Sequence, residues 1–249
     1  MTIHWFYSEA LPAAPGTFVL DRREAAHAAS RRLRPHESVR LFDGAGSVAI
    51  ATVLQGGAGS RRVAVQVESI EHRPAPLACL HLASALPTGE RLAVMLDMAT
   101  QLGMTDFTPL HCERGRPPRR DDAADKWRRI TIESCKQCQR AWLPAIHAGA
   151  APAEVARAGV AAGIPVLLAD QRGEPMAHVI SGASASKPGS ILCLVGPEGG
   201  FTGAEIGAVT EAGARPVTLG EYVLRIETAA AAMLAIAAAL TGASMRSSA

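Results

Sequence analysis

Residues Gly196–Ile206 read GPEGGFTGAEI and follow the apolar run ILCLV of Ile191–Val195. The run has the length and bounds of a buried strand. Thr202-Gly203-Ala204-Glu205 carries the signature of a capping box, which opens a helix. A strand, a glycine turn and a helix N-terminus in that order form the phosphate cradle of nucleotide-binding α/β folds. Here the residues disagree with phosphate. There is no GxGxxG match and no P-loop lysine, and Glu198 stands where the anion would rest. Repulsion between like charges grows as water is excluded. A ligand that is adenosine at one end and cationic at the other removes the conflict, and S-adenosylmethionine is such a ligand. The competing reading is a tight turn in which Glu198 caps a local group.

A second loop, Leu219-Gly220-Glu221-Tyr222-Val223-Leu224-Arg225-Ile226-Glu227-Thr228, also leaves a strand and opens a helix. Two such loops in one parallel sheet lie together at its carboxyl edge, where ligands bind. Arg225 and Glu227 in this otherwise apolar stretch need partners or work to do.

Outward from these loops, the chain from Leu77 alternates strand and helix. Strands are expected at Leu80–Leu86, Phe107–His111, Val166–Ala169, Ile191–Val195 and Pro216–Leu219. Helices are expected at Glu90–Leu102, Asp121–Arg140, Ala153–Ala162, after Thr202, and over Thr228–Leu240 with Gly242 as its stop. This alternation predicts a helix-covered parallel sheet. The Ser181–Ser190 stretch reads as a surface loop. The first seventy residues instead alternate with a period of two, at His4–Tyr7, Thr17–Leu20, Val39–Leu41, Ser47–Val53 and Val63–Val67. They predict a small β-barrel, with Gly56-Gly57-Ala58-Gly59 as one turn and Arg73-Pro74-Ala75-Pro76 as the linker. Leu41-Phe42-Asp43-Gly44-Ala45-Gly46 imitates a dinucleotide loop, but a strand follows it, so it reads as a hairpin turn.

Composition sets bounds on function. The chain has 249 residues, 48% of them hydrophobic and only 4% aromatic, so its core rests on small aliphatic side chains. No charged start leads into an apolar leader, and the longest apolar stretch, Ala229–Leu240, is too short for a membrane span of about 20 residues. With five cysteines in an odd count, the expectation is a cytoplasmic protein with reduced thiols, no membrane and no metal. Cys135 and Cys138 form a lone CxxC within a helical pattern and read as two thiols on its buried side. The net charge is only +2, yet residues 1–140 hold 19 of the 25 Lys and Arg. Such polarisation suits a polyanionic partner, although basic runs are also ordinary solvated faces.

The two loops together, GPEGGFTGAEI and then LGEYVLRIETAAAAML, resemble the RsmE family of bacterial 16S ribosomal RNA uridine N3-methyltransferases in the SPOUT superfamily. The likeness extends to Gly89-Glu90-Arg91, Leu102-Gly103, Pro109-Leu110, Glu113-Arg114, and Cys135–Arg140 with Pro144. Arg32-Leu33-Arg34-Pro35 and Leu41–Gly44 are similar to the family's N-terminal barrel. Thr88, Gln101, Lys136 and Gln139 depart from the family pattern, as do Tyr222-Val223 and Ile226. The resemblance implies an α/β protein in two parts. Residues 1–73 would be a PUA-like RNA-binding β-barrel. Residues 74–249 would be a SPOUT methyltransferase domain, its parallel sheet tied in a C-terminal trefoil knot with S-adenosylmethionine bent inside. It also implies a homodimer acting on 16S rRNA of the small ribosomal subunit. The pattern alone predicts an unknotted sheet.

Methylation of uracil N3 needs a route for the N3 proton and a cation near the developing oxyanions. Arg225 is the candidate cation, because its fork is always charged. Glu198 and Glu227 are candidates for steering the proton or orienting the cofactor, with Glu227 also readable as a carboxylate complementing the helix dipole. The expected cofactor contacts are Val195, Gly196, Pro197, Glu198, Gly200, Leu219, Gly220, Val223 and Leu224, with Leu168 as a wall for the adenine. Expected RNA contacts, mainly to phosphate, are Arg22, Arg23, Arg31, Arg32 and Arg34 in the barrel, and Arg114 to Arg140 beyond it. A non-catalytic RNA-binding protein and a SPOUT enzyme acting on a ribose 2′-OH or another base remain alternatives.

Overall fold

A computed structural model describes residues 3–55, 62–116, 122–181 and 189–241. The predicted turn at Gly56–Gly59, the Gly242 stop, the Asp121 helix start and most of the Ser181–Ser190 loop lie outside the described residues. The chain divides into two units. One runs to Ala75 and takes in Ile132–Leu143; the other holds Pro76–Thr131 and the chain from Pro144 onward.

The first unit carries β1 (His4–Tyr7), β2 (Gly16–Val19), α1 (Arg22–Ser30), β3 (Ser38–Phe42), β4 (Ser47–Gln55) and β5 (Ala64–His72). Its sheet has the order β1-β3-β4-β5-β2, with β1 and β3 parallel and the other pairs antiparallel. Among the described residues it is an open sheet with β1 and β2 at its edges. The Asp43–Gly46 turn joins β3 and β4 as a hairpin. Asp43 Oδ1 accepts from the N–H groups of Ala45 at 2.7 Å and Ser47 at 2.9 Å.

A stretch read as β throughout contains a helix, α1. Asp21 caps it by accepting from the Glu24 N–H at 2.8 Å, and Ala25 and Ala28 seal its inner face against Phe6, Leu33 and Val39. The last turns of α3 (Asp122–Cys138) belong to this unit from Ile132. There Lys136 Nζ sits between Glu24 Oε1 at 2.5 Å and Glu133 Oε1 at 3.0 Å, with the Lys136 and Glu24 side chains 6% and 4% exposed. Lys136, a departure from the family pattern, is thus the counter-charge of a buried carboxylate. Trp142 packs on a second core of this unit, made by Trp5, Phe42, Val48, Cys135 and Ala141. Its Nε1 donates to the Arg73 carbonyl at 3.0 Å, and its ring leaves room only for hydrogen at Gly46.

Among the described residues, the second unit carries a six-stranded, wholly parallel sheet. Its strands are β6 (Leu80–Ser84), β7 (Asp106–Pro109), β8 (Ala145–Ile146), β9 (Val166–Pro175), β10 (Ile191–Val195) and β11 (Arg215–Thr218), in the order β11-β9-β10-β6-β7-β8. On one face α2 (Arg91–Gln101), α5 (Met176–Ser181) and α7 (Ile226–Thr241) bury Met95, Leu96, Met176, Met233 and Leu234 against Leu82 and Cys193. On the other, α4 (Pro152–Ala161) and α6 (Gly203–Glu211) bury Val155, Ala156 and Val209 against Leu168, Leu192 and Leu194. Three features were not expected. The strand β8 and the helix α5 are too short to leave a periodic signal. The strand β9 runs six residues beyond Ala169 because its second part pairs again with β11. No helix among the described residues is long and apolar enough to cross a membrane.

Candidate active site

The strand β10 ends at Val195, and the chain turns at once. Gly200 donates its N–H to the Pro197 carbonyl at 2.8 Å, with φ of 68° at Gly200, a conformation that favours glycine. Gly196 lies against the Phe201 ring, where a Cβ would come within 2.8 Å of Cδ2. The chain then enters α6 through the expected capping box. Thr202 Oγ1 accepts from the Glu205 N–H at 3.2 Å, and Glu205 Oε2 accepts from the Thr202 N–H at 2.8 Å.

Opposite this turn, β11 leads into Leu219–Arg225 and α7. Thr218 Oγ1 donates to the Gly220 carbonyl at 3.0 Å and holds the bend. A third wall comes from β9. Its register with β11 jumps from Leu168↔Pro216 to Glu174↔Val217, so residues 169–173 stand out of the ladder. Within this bulge Asp170 accepts from the backbone N–H, Nε and Nη2 of Arg172 at 2.8, 3.2 and 3.1 Å. These bonds from Arg172 hold the Asp170 carboxyl below its usual range.

The three segments enclose a cleft of about 440 Å³ at the carboxyl edge of the sheet. Val195, Gly196, Pro197, Glu198, Gly200, Leu219, Gly220, Val223 and Leu224 all line it. Leu168 does not; it is wholly buried beneath, and its neighbour Ala169 takes the wall. Of the three catalytic candidates, Glu198 is on the cleft wall. Arg225 is exposed at the rim, between the lining residues Leu224 and Ile226. Glu227 lies in the first turn of α7, away from the lining, with Arg91 Nε 3.9 Å from its Oε1. Among the described residues, the charged lining residues are Asp170, Arg172 and Glu198, and Arg172 is already bonded to Asp170. Asp170 was missed in the sequence. Its only signal was a carboxylate placed directly after an apolar strand.

The predicted RNA-facing arginines fall into two groups. Arg22, Arg23, Arg31, Arg32 and Arg34 are exposed on and after α1, with Arg23 Nη2 3.5 Å from Glu133 Oε1. Arg140, in the same unit, is half-buried. Arg114, in the second unit, donates from Nη1 to the Gly199 carbonyl at 3.0 Å.

A family model described as "RNA methyltransferase domain" matches residues 73–238. Ribosomal RNA small subunit methyltransferase E of Mycobacterium bovis is 34% identical, over 95% of this chain and 91% of its own. A methyltransferase E of Neisseria gonorrhoeae solved with S-adenosyl methionine superposes with a TM-score of 0.83 at 26% identity, covering 96% of this chain and 98% of that one. A putative methyltransferase of Legionella pneumophila, solved in complex with bound SAM, gives 0.81 at 25% identity over 96% and 98%.

Proposed function

This chain belongs to the RNA methyltransferase family that includes ribosomal RNA small subunit methyltransferase E, and from that premise we propose that it methylates N3 of a uridine in 16S rRNA, using S-adenosylmethionine. The observation that carries the reading is the character of the cleft. It offers backbone groups of two glycine loops, apolar surface from Val195, Leu219, Leu224 and Ile226, and two carboxylates against one arginine already bound to one of them. That lining fits a ligand with a flat apolar base and cationic groups, and opposes a phosphate.

When bound, S-adenosylmethionine supplies a methyl group made electrophilic by its sulfonium. The residues of the chain do the rest. Uracil N3 must lose its proton as it gains the methyl group. Glu198, on the cleft wall, is the proposed group to take or relay that proton, or to orient the cofactor. Glu227 is a less direct candidate, since it faces Arg91 from the start of α7. Arg225 at the rim is proposed to hold the negative charge that gathers on uracil O2 or O4, its planar fork matching either oxygen.

The exposed arginines around α1 are proposed to grip RNA phosphates, with Arg140 a further candidate in the same unit. The same reading includes a PUA-like role for the first unit, a trefoil knot in the second, a homodimer, and action in the cytoplasm on the small ribosomal subunit. Support for the dimer comes from α7, apolar on nearly every side, and from Val94 and Leu240, which are 49% and 48% exposed in the single chain. Incubation of the purified protein with S-adenosylmethionine and 16S rRNA, followed by mass spectrometry of the nucleosides, tests the function. The expected product is 3-methyluridine; 2′-O-methylated nucleosides would replace this reading with the ribose alternative.

A further inference from the structure

We infer that Arg114 is a positioning residue of the methyl-transfer site, holding the Pro197–Gly200 turn and thereby Glu198 in place; this rests on the reading of the cleft proposed above. The turn needs such a restraint. Glu198, Gly199 and Gly200 are all exposed, and two successive glycines make the unrestrained segment entropically free. Within the turn, the bond from Gly200 N–H to the Pro197 carbonyl fixes the ends and leaves the central residues, Glu198 and Gly199, unsecured.

Arg114 supplies the missing contact at the centre. Its Nη1 donates to the Gly199 carbonyl at 3.0 Å, a charge-assisted bond. Its stem runs along the turn, since a Cβ on Gly199 would sit 3.5 Å from Arg114 Cδ and 3.6 Å from its Cβ. The arginine is itself tethered. The preceding residue, Glu113, donates its N–H to Glu205 Oε1 at 2.9 Å, while Oε2 of the same carboxylate accepts from the Thr202 N–H. Gly115 N–H closes a turn onto the Cys112 carbonyl at 3.0 Å. One carboxylate thus ties the Cys112–Gly115 turn to the start of α6, and the guanidinium reaches from that anchor to the glycine turn. In the sequence Arg114 opens a basic stretch and reads as a phosphate contact; in the structure its guanidinium engages the cleft wall. A misplacement of about 1 Å in a reacting group lowers rate by about 10²-fold, so slack in this turn is costly to Glu198.

The test uses Arg114→Ala and Arg114→Lys in the full chain, with three readouts. Amide exchange at Gly200 and Thr202, measured without cofactor or RNA, should quicken in Arg114→Ala and return towards wild type in Arg114→Lys, whose ammonium can reach the same carbonyl. The kcat for methylation of 16S rRNA should fall by about 10- to 100-fold in Arg114→Ala. The affinity for 16S rRNA and its dependence on salt should stay unchanged. Unaltered exchange overturns the clamp. Faster exchange with normal kcat overturns the positioning role. A weaker RNA affinity with a log–log salt slope smaller by about 0.7–0.9, and kcat intact, makes Arg114 a phosphate contact. A wild-type protein that methylates no RNA overturns the proposed function and the positioning role together, while the exchange result still decides the clamp.

Discussion

Lys136 Nζ lies 2.5 Å from Glu24 Oε1, so a residue near the end of α3 neutralises a carboxylate of α1 inside the first unit. Burial is the largest influence on Glu24 and raises its pKa, against the bonds from Lys136 and the Tyr7 N–H. Breaking a buried pair from one side costs about 3–5 kcal/mol. Lys136→Met should therefore lose about that much stability at neutral pH. A carboxyl with a raised native pKa stabilises the fold when protonated, and that contribution fades as pH rises from 4.5 through the native value. The deficit of Lys136→Met should accordingly shrink as pH falls from neutral towards 4.5 in urea unfolding; a constant deficit would mean that the lost charge is not the cause.

His81 offers a second pH signature, with the opposite sign. Burial pushes its pKa down from 6.5 to about 4, with a smaller push from His147, against the pull of Asp106. Its Nε2 lies 2.8 Å from Thr108 Oγ1. The unfolded chain binds the proton more readily, so stability should fall as pH drops from about 6.5 to 4, by roughly 3 kcal/mol for this group. Replacing His81 with Gln should flatten that part of the acid limb in thermal unfolding between pH 4 and 7.

Gly173 in the bulge of β9 and Gly200 in the cleft wall should respond differently to alanine. At Gly173 a Cβ would lie 2.4 Å from Val217 N and 2.5 Å from Pro216 C, both backbone atoms that cannot step aside. At Gly200 nothing lies within 4 Å, and only the φ of 68° resists substitution, by about 1–2 kcal/mol. Gly173→Ala should force β9 from β11 and abolish binding of S-adenosylmethionine by calorimetry. Gly200→Ala should fold and bind more weakly. Equal behaviour of the two would argue against the close approach at Gly173.

Arg225→Ala should lower kcat by roughly 10²–10³, the usual cost of one lost oxyanion donor, with little change in cofactor affinity. Arg225→Lys should recover only part of the rate, because a point charge does not reproduce the fork. Single-turnover methylation beside calorimetric cofactor binding separates this from a binding role, which would show as lost affinity with normal turnover at saturation.

Reversing Arg31, Arg32 and Arg34 to Glu should weaken RNA binding and reduce its salt dependence, each lost phosphate contact removing about 0.7–0.9 from the log–log slope. Cofactor affinity should be untouched. An equal loss of both would recast these arginines as support for folding.

The carboxyl edge of the sheet was legible because its signals are local. The strand Ile191–Val195 has the predicted bounds, and Thr202 and Glu205 make both bonds of the capping box. The Asp43–Gly46 decoy was also legible, since the strand after it excludes a cradle. The helix α1 had a readable cue in Asp21 and Glu24, three apart, yet short strands on either side masked it. What the sequence could not disclose depends on distant partners. Nothing near Ala169 announces that β9 leaves and rejoins β11, because the register is set by residues 215–218. Arg114 looked like part of a basic run until Gly199, 85 positions away, supplied its acceptor.

The membership of Ile132–Leu143 in the first unit has a consequence for synthesis. Cys135 and Ala141 share a core with Trp5, Phe42 and Val48, and Trp142 packs against it. A nascent chain that has delivered all its residues up to Ala75 still lacks one wall of that core. At about 5–20 residues per second, the wait for Leu143 is roughly 3–14 s, during which β6, α2 and β7 emerge. The amino-terminal sheet therefore cannot finish folding first. It matures only after part of the second unit has been made, and a pause in translation before residue 132 would leave Trp5 and Phe42 with an unfilled side.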